Sequence, residues 1–287
     1  MDRFKKGWFS EKDEGWDGLV QSYEVSEVLA HEKSPYQDIL VFKARKTGLT
    51  MAIDDLIQST EMDEFAYHEM MAHVALYSHP DPKRVLIIGG GDCGVAREVL
   101  KHKCVELVDQ CDIDEKVTEL TRKYMPHVIG DAEKDPRLHL YFEDGIAFID
   151  KNPNYYDVII TDSCDPVGPA EKLFGLSYYQ KVMKALRKGG ISVSQGENIW
   201  LDADVIINLR NICRQVGFKY IEYSLINIPT YTAGSIGAFI ISNDYSSKEP
   251  RREMTSEEAK SMRYYNKPVH IASFATPEFF RKRFEDE

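Results

Sequence analysis

Between residues 21 and 60 apolar side chains come in short runs that alternate with polar ones; beyond residue 80 they come in solid blocks spaced by helical periodicity. In the first region Gln21–Leu29 (QSYEVSEVL), Gln37–Ala44 (QDILVFKA) and Met51–Ile57 (MAIDDLI) read as strands, broken by Lys33-Ser34-Pro35 and Thr47-Gly48. A small antiparallel β unit follows from this. Glu64–Ser78 (EFAYHEMMAHVALYS) then reads as a helix, with Phe65, Met70, Val74 and Leu76 among its apolar positions. After Pro82 the blocks Val85–Ile88, Glu106–Val108 with Cys111, Leu138–Phe142, Tyr156–Thr161 and Ile191–Gln195 read as buried strands. Helical patterns fill the gaps at Val95–Lys101, Lys116–Tyr124, Gly145–Lys151, Ser177–Leu186 and Ala203–Val216. Such alternation implies an α/β, Rossmann-like, mostly parallel sheet with helices on both faces. Tyr220–Asn227 and Ile236–Ser242 are joined by a short Pro/Gly connection, so one antiparallel edge strand is expected. The division expected is an N-terminal antiparallel β domain at 1–62 and the α/β domain at 63–287, with the charged stretch Ser247–Glu258 as a mobile surface segment.

The junction Val85–Gly94 (VLIIGGGDCG) carries the first chemical information. Gly89, Gly91 and Gly94 satisfy G-x-G-x-x-G between a strand and a helix, with Asp112 ending the next strand, which suits a nucleoside site. Asp92 within the turn opposes a pyrophosphate and favours a cation such as a sulfonium or an amine. Asp112 is placed as a carboxylate accepting both ribose hydroxyls. Asp144-Gly145 ends the third strand, where Asp144 reads as an adenine contact or as a plain helix cap. The fourth strand ends in Asp162-Ser163-Cys164-Asp165-Pro166-Val167-Gly168-Pro169-Ala170, two acids in a proline-stiffened loop, and the fifth in Gln195-Gly196-Glu197. A protonated amine must lose a proton before it attacks carbon, so Asp162 or Asp165 can orient and deprotonate it while Glu197 holds a second ammonium. Clustered acids repel unless a polycation joins them.

Charge and cysteine content remove other classes. A net charge of −11 argues against nucleic acid as a partner. No apolar run approaches the roughly 20 residues that span a bilayer, and Met1–Lys6 lacks a signal-peptide segment, so a cytoplasmic protein without membrane partners is expected. Five cysteines without a C-x-x-C pair fit reduced thiols. His68-Glu69-x-x-x-His73 is spaced wrongly for a zincin, and no metal is expected. Cys164 has no adjacent His to act as base and is not a nucleophile candidate.

The ordered set Gly7-Trp8-Phe9-Ser10, Tyr36-Gln37-Asp38, Ile57-Gln58-Ser59-Thr60-Glu61, Asp63–Glu69, Gly89–Gly94, Asp162–Ala170, Gln195-Gly196-Glu197, Trp200-Leu201, Ile228-Pro229-Thr230-Tyr231 and Ser273-Phe274-Ala275 resembles the polyamine aminopropyltransferases over nearly the whole chain. The resemblance implies a methyltransferase-like catalytic domain behind a small β domain, and a homodimer. It implies aminopropyl transfer from decarboxylated S-adenosylmethionine, a co-substrate and not a cofactor, to putrescine, giving spermidine and methylthioadenosine. Carried over by position, Gln58, Gly89, Gly91, Asp92, Asp112, Asp144 and Gly145 would bind the donor. Tyr67, Asp92, Asp162, Asp165, Glu197 and Tyr231 would bind the amines, with Asp162 catalytic, and Trp8 and Trp200 would close the pocket. Two positions depart from the family pattern: Cys93 stands where Gly is usual, and Ile53-Asp54-Asp55 replaces Leu-Asp-Gly, which puts both turns' conformations in question. A putrescine N-methyltransferase would share the fold but lack an acid in the glycine loop, so Asp92 speaks against it. The intact acid set speaks against a non-catalytic polyamine-binding paralogue.

Overall fold

The computed structural model describes residues 4–5, 7–11, 18–163 and 172–286. Among these, strands β1 (Phe4–Lys5), β2 (Trp8–Ser10), β3 (Ser22–Lys33), β4 (Asp38–Ala44), β5 (Gly48–Ile53) and β6 (Leu56–Thr60) form an antiparallel sheet in sequence order. Met51–Ile57 is therefore two strands and not the single one its apolar content suggests. Asp54 and Asp55 adopt φ of 50° and 73°, the left-handed pair that a two-residue hairpin requires, and Ile53 pairs with Leu56. Alternation along the strands gives this sheet two apolar faces. Ile39, Val41, Met51 and Ile53 pack on Val117, Leu120, Met125 and Val128 of α3 (Glu115–Tyr124), α4 (Pro126–Ile129) and their junction, while Phe9, Tyr23, Leu40, Phe42 and Ile57 form a second core.

The second sheet contains β7 (Arg84–Gly89), β8 (Leu107–Asp112), β9 (Leu138–Phe142), β10 (Tyr156–Asp162), β11 (Leu186–Gln195), β12 (Tyr220–Asn227) and β13 (Ser235–Ser242), in the order β12-β13-β11-β10-β7-β8-β9. The antiparallel strand is not at the edge, contrary to expectation. It is β13, inserted between β11 and β12 and antiparallel to both. Seven of the eight residues of β13 are buried, whereas β12 carries Glu222 and an exposed Tyr220, so the more apolar strand takes the interior. β11 also begins at Leu186, ahead of the expected Ile191, because its polar start Leu186-Arg187-Lys188-Gly189-Gly190 passes a register shift opposite Tyr156 and Val158.

One face of the sheet is covered by α1 (Glu64–Ser78), α2 (Gly94–Leu100) and side chains from 254–274; the other is covered by α5 (Gly145–Asp150), α6 (Leu176–Ala185), α7 (Ala203–Val216) and α10 (Glu278–Asp286). The fold is thus a Rossmann-like three-layer α/β unit beside an antiparallel sheet. Every residue of α1 except Phe65 is buried, and the helix ends at Ser78, two residues before Pro80, which disfavours helical backbone at His79. The charged stretch Ser247–Glu258, expected as a mobile surface segment, is mostly exposed but anchored at particular side chains. Arg252 donates to the Leu76 carbonyl (3.0 Å) and lies 2.9 Å from His102 Nδ1; Ser247 N–H donates to Glu222 (2.7 Å), and helices α8 (Ser256–Ser261) and α9 (Lys267–Ser273) follow. Among the described residues no helix is long and apolar enough to cross a membrane.

Candidate active site

Strand order reverses between β7 and β10, and their carboxyl ends open the crevice where ligands of such sheets bind. Gly89 and Asp162 pair across these ends, and Gly90 N–H donates to the Asp162 carbonyl at 2.8 Å. Gly89 needs to be glycine twice over, because its φ is 81° and a side chain would strike the Asp162 backbone. The loop is held from behind by Gln110 Nε2 on the Gly90 carbonyl (2.7 Å) and Thr118 Oγ1 on the Gly91 carbonyl (2.6 Å). Cys93 does adopt left-handed backbone, at φ 61°. That conformation costs a non-glycine residue roughly 1–2 kcal/mol. Full burial of the thiol beside Gln110 Nε2, at 3.4 Å, offsets a cost of this size, so the turn keeps its shape without the usual glycine.

Three acids meet at this loop. Asp162 lies against Gly90, Asp112 against Gly91, and Asp92 projects from the loop itself. Burial, and then the charge of Asp92, raise the Asp162 carboxyl to about 6; burial raises Asp112 to about 6 as well, although it accepts the Asp114 N–H at 2.7 Å. Asp92 moves the other way. Burial would raise it, but His68 and the Gly94 N–H (2.8 Å to Oδ1) hold it below the usual carboxylate range. The Tyr67 hydroxyl donates to Asp162 Oδ1 at 2.6 Å, and burial together with the Asp162 charge pushes that phenol far up, so it stays protonated.

Tyr67 also faces Tyr231, with ring centroids 6.1 Å apart, across a cleft lined by Gln58, Ser59, Thr60, Asp63, His68 and Ile228. Tyr231 donates to the Gln58 carbonyl at 2.7 Å, and Asp63 accepts both the Thr230 N–H (2.9 Å) and hydroxyl (2.7 Å). These bonds tie the end of β6 to the segment after β12. The cleft therefore lies between the two sheets.

The other expected residues lie outside this cluster or outside the described residues. Asp144 is exposed and caps α5 by accepting the Ile146 N–H at 2.8 Å, with Gly145 packed against Ile88 where a side chain would not fit. Glu197 is buried at φ 53°; its carbonyl accepts the Tyr223 hydroxyl at 2.7 Å. Trp8 and Trp200 are exposed, and Trp200 leans on Phe279 at 4.5 Å. Asp165 and Cys164 lie outside the described residues.

Sequence reasoning weighed His68 only as a metal ligand and missed its part in the acid cluster. Its ring is 3.2 Å from Asp92 and 2.7 Å from Glu64, and Glu64 is held by Arg97 at 2.9 Å. Burial opposes the charge on His68, but Asp92 and Glu64 outweigh it and push the imidazole up to about 10; burial is likewise overcome at Glu64, where His68 and Arg97 hold the carboxyl at about 2. The signal available was the Glu64/His68 spacing of one helical turn. His73, by contrast, faces Glu98 (3.1 Å) and His102 (2.9 Å) on the far side of α1.

Three acids thus meet at the glycine loop, beside a cleft over which two tyrosines stand. The family model for the spermine/spermidine synthase domain matches residues 64–251, and that for the spermidine synthase tetramerisation domain matches residues 7–61. The chain is 47% identical to a spermidine synthase of Dictyostelium discoideum, covering 99% of each, and 45% identical to one of Schizosaccharomyces pombe, covering 96% of this chain and 93% of the relative. Among solved structures it resembles a spermidine synthase in complex with the transition state analogue AdoDATO, with TM-score 0.90, 34% identity, and coverage of 98% of this chain and 95% of the other. The spermidine synthase from Thermotoga maritima matches with TM-score 0.88 and 33% identity over 98% and 94%. The chain belongs to the spermine/spermidine synthase family, and is an aminopropyltransferase.

Proposed function

We propose that the acidic cleft binds decarboxylated S-adenosylmethionine and putrescine and transfers the aminopropyl group between them, releasing spermidine and methylthioadenosine. The observation that carries this reading is Asp162, hydrogen-bonded to Tyr67 and set beside Asp92 at the mouth of the glycine loop. An attacking amine of putrescine gives its proton to Asp162 as its nitrogen bonds the carbon beside sulfur. The C–S bond breaks, and its electron pair stays on the neutral thioether. Asp92 holds the donor's ammonium, Asp112 accepts the ribose hydroxyls, and Gln58, Asp144 and Gly145 complete the adenosyl site. Tyr67 and Tyr231 flank the tetramethylene chain, Glu197 takes its distal ammonium, and Asp165 is assigned to the diamine by family resemblance alone. Ordinary S-adenosylmethionine adds a carboxylate, which this ring of acids repels. Release of methylthioadenosine from the decarboxylated donor plus putrescine is the expected assay result. Methylated putrescine formed from intact S-adenosylmethionine would overturn the reading.

The raised Asp162 carboxyl sets a pH dependence. Its ionised form accepts the proton, so kcat/KM for putrescine is flat well above pH 6 and falls as pH drops through about 6, approaching tenfold per unit below it. An acid limb near the ordinary aspartate value of about 4 would show that Asp162 is not the group whose ionisation is required.

Residues 1–62 and 63–287 act in this reading as an association unit and a catalytic unit, with two copies forming a homodimer through the former; the tetramerisation-domain match at 7–61 supports association. The thiols Cys93, Cys104, Cys111 and Cys213 are free, as suits a cytoplasmic enzyme.

A further inference from the structure

Both ring nitrogens of His68 face carboxylate oxygens: Nδ1 lies 2.7 Å from Glu64 Oε2, and Nε2 lies 3.2 Å from Asp92 Oδ2. Ionised carboxylates only accept, so both nitrogens carry hydrogen and the ring is a cation. Charged and titratable groups reach this ring from every packed element: Glu64 and Tyr67 of α1, Arg97 of α2 behind Glu64, Asp92 of the glycine loop, and Asp162 of β10. The two carboxylates flanking the ring are not equivalent. Glu64 is locked by Arg97 through two N–H groups (3.3 and 2.9 Å), and Arg97 is itself fixed on the carbonyls of His127 (3.0 Å) and Val128 (2.8 Å) and on Glu98 (2.8 Å). The Asp92 side chain is 16% exposed against 2% for Glu64, so it is the more open of the two to an incoming cation.

This inference rests on the proposed function. When the donor's ammonium reaches Asp92, two cations share one carboxylate, and their repulsion is relieved if the ring gives up a proton. The Nδ1 proton is held by the shorter and better anchored bond, so the one to leave is on Nε2. We propose that Glu64 is a positioning residue that retains the Nδ1 proton of His68, so that binding of the cationic donor expels the Nε2 proton and turns Nε2 into an acceptor beside Asp92. One N–H bond is broken, the proton passes to water, and no electron transfer is involved.

Calorimetric titration of the native enzyme at about pH 8, in two buffers of different ionisation enthalpy, counts the protons. Decarboxylated S-adenosylmethionine is expected to release about one proton, and methylthioadenosine, which has no ammonium, about none. Equal counts for the two ligands would overturn the proposal while leaving the functional reading standing. Failure of both ligands to bind would overturn that reading first, and the inference with it. In Glu64→Gln the amide oxygen can still accept the Nδ1–H, but the negative charge that favours the doubly protonated ring is gone, so Nε2 is already without its proton when the donor arrives. Proton release on donor binding is expected to disappear and the donor Kd to rise about tenfold, with the methylthioadenosine Kd within about twofold. A folded Glu64→Gln enzyme that still releases the proton would refute the role, and if the variant does not fold, the count on native enzyme decides.

Discussion

Asp162→Asn lowers kcat roughly 1,000-fold while leaving the Kd for methylthioadenosine within about twofold. The substitution is nearly isosteric. An amide oxygen still accepts the Tyr67 hydroxyl at the position where Asp162 Oδ1 now does, at 2.6 Å, and the Asp162 backbone still receives the Gly90 N–H, so the glycine loop keeps its place. What is lost is proton acceptance and the negative charge that draws an ammonium. Proton transfer by a placed side chain contributes about 10²–10⁴-fold, and 1,000-fold is about 4 kcal/mol of transition-state stabilisation. Steady-state kinetics with the decarboxylated donor and putrescine measure kcat, and titration with methylthioadenosine measures the binding. A loss below about tenfold would move the proton-accepting role away from Asp162, since no neutral amide substitutes for a general base.

How far the site can be read from sequence depends on what each residue needs. Asp92, Asp112 and Asp162 are legible because each ends or follows a strand of the parallel sheet, and topology alone gathers such ends at one crevice. Tyr67, Gln58 and Tyr231 are less so. They lie on α1, β6 and the segment after β12, and only the docking of the two sheets brings them together; family resemblance supplied them where periodicity did not. The Glu64–His68–Asp92 array was missed because its final link spans a helix and a loop far apart in sequence, and histidine carries no pattern that separates a buried cation from a core residue. The fold errors have a common cause. The Asp54-Asp55 turn, the charged start of β11 and the central place of β13 are each decided by tertiary pairing, which local composition does not encode. Ser247–Glu258 reads as mobile because its charges look solvated, yet Arg252 is needed to satisfy the buried Leu76 carbonyl.

Gly94→Ala tests the same array from the packing side. An added methyl group would land on the His68 ring, whose side chain is 4% exposed and held at both nitrogens. Moving it breaks a buried charged contact with Asp92 or Glu64, and leaving it means overlap. Overpacking alone costs about 1–3 kcal/mol, and separating a buried ion pair costs about 3–5 kcal/mol, so the variant is expected to lose at least about 3 kcal/mol in denaturant unfolding. Donor binding should be lost with it, because Gly94 N–H anchors Asp92 Oδ1 at 2.8 Å. A double-mutant cycle separates this cause from a general intolerance of side chains at the start of α2. In a His68→Ala background the space is open, and adding Gly94→Ala should cost under about 1 kcal/mol, a coupling of about 2 kcal/mol or more. Additive losses in the cycle would mean that the loop backbone, and not the His68 ring, is what demands glycine at this position.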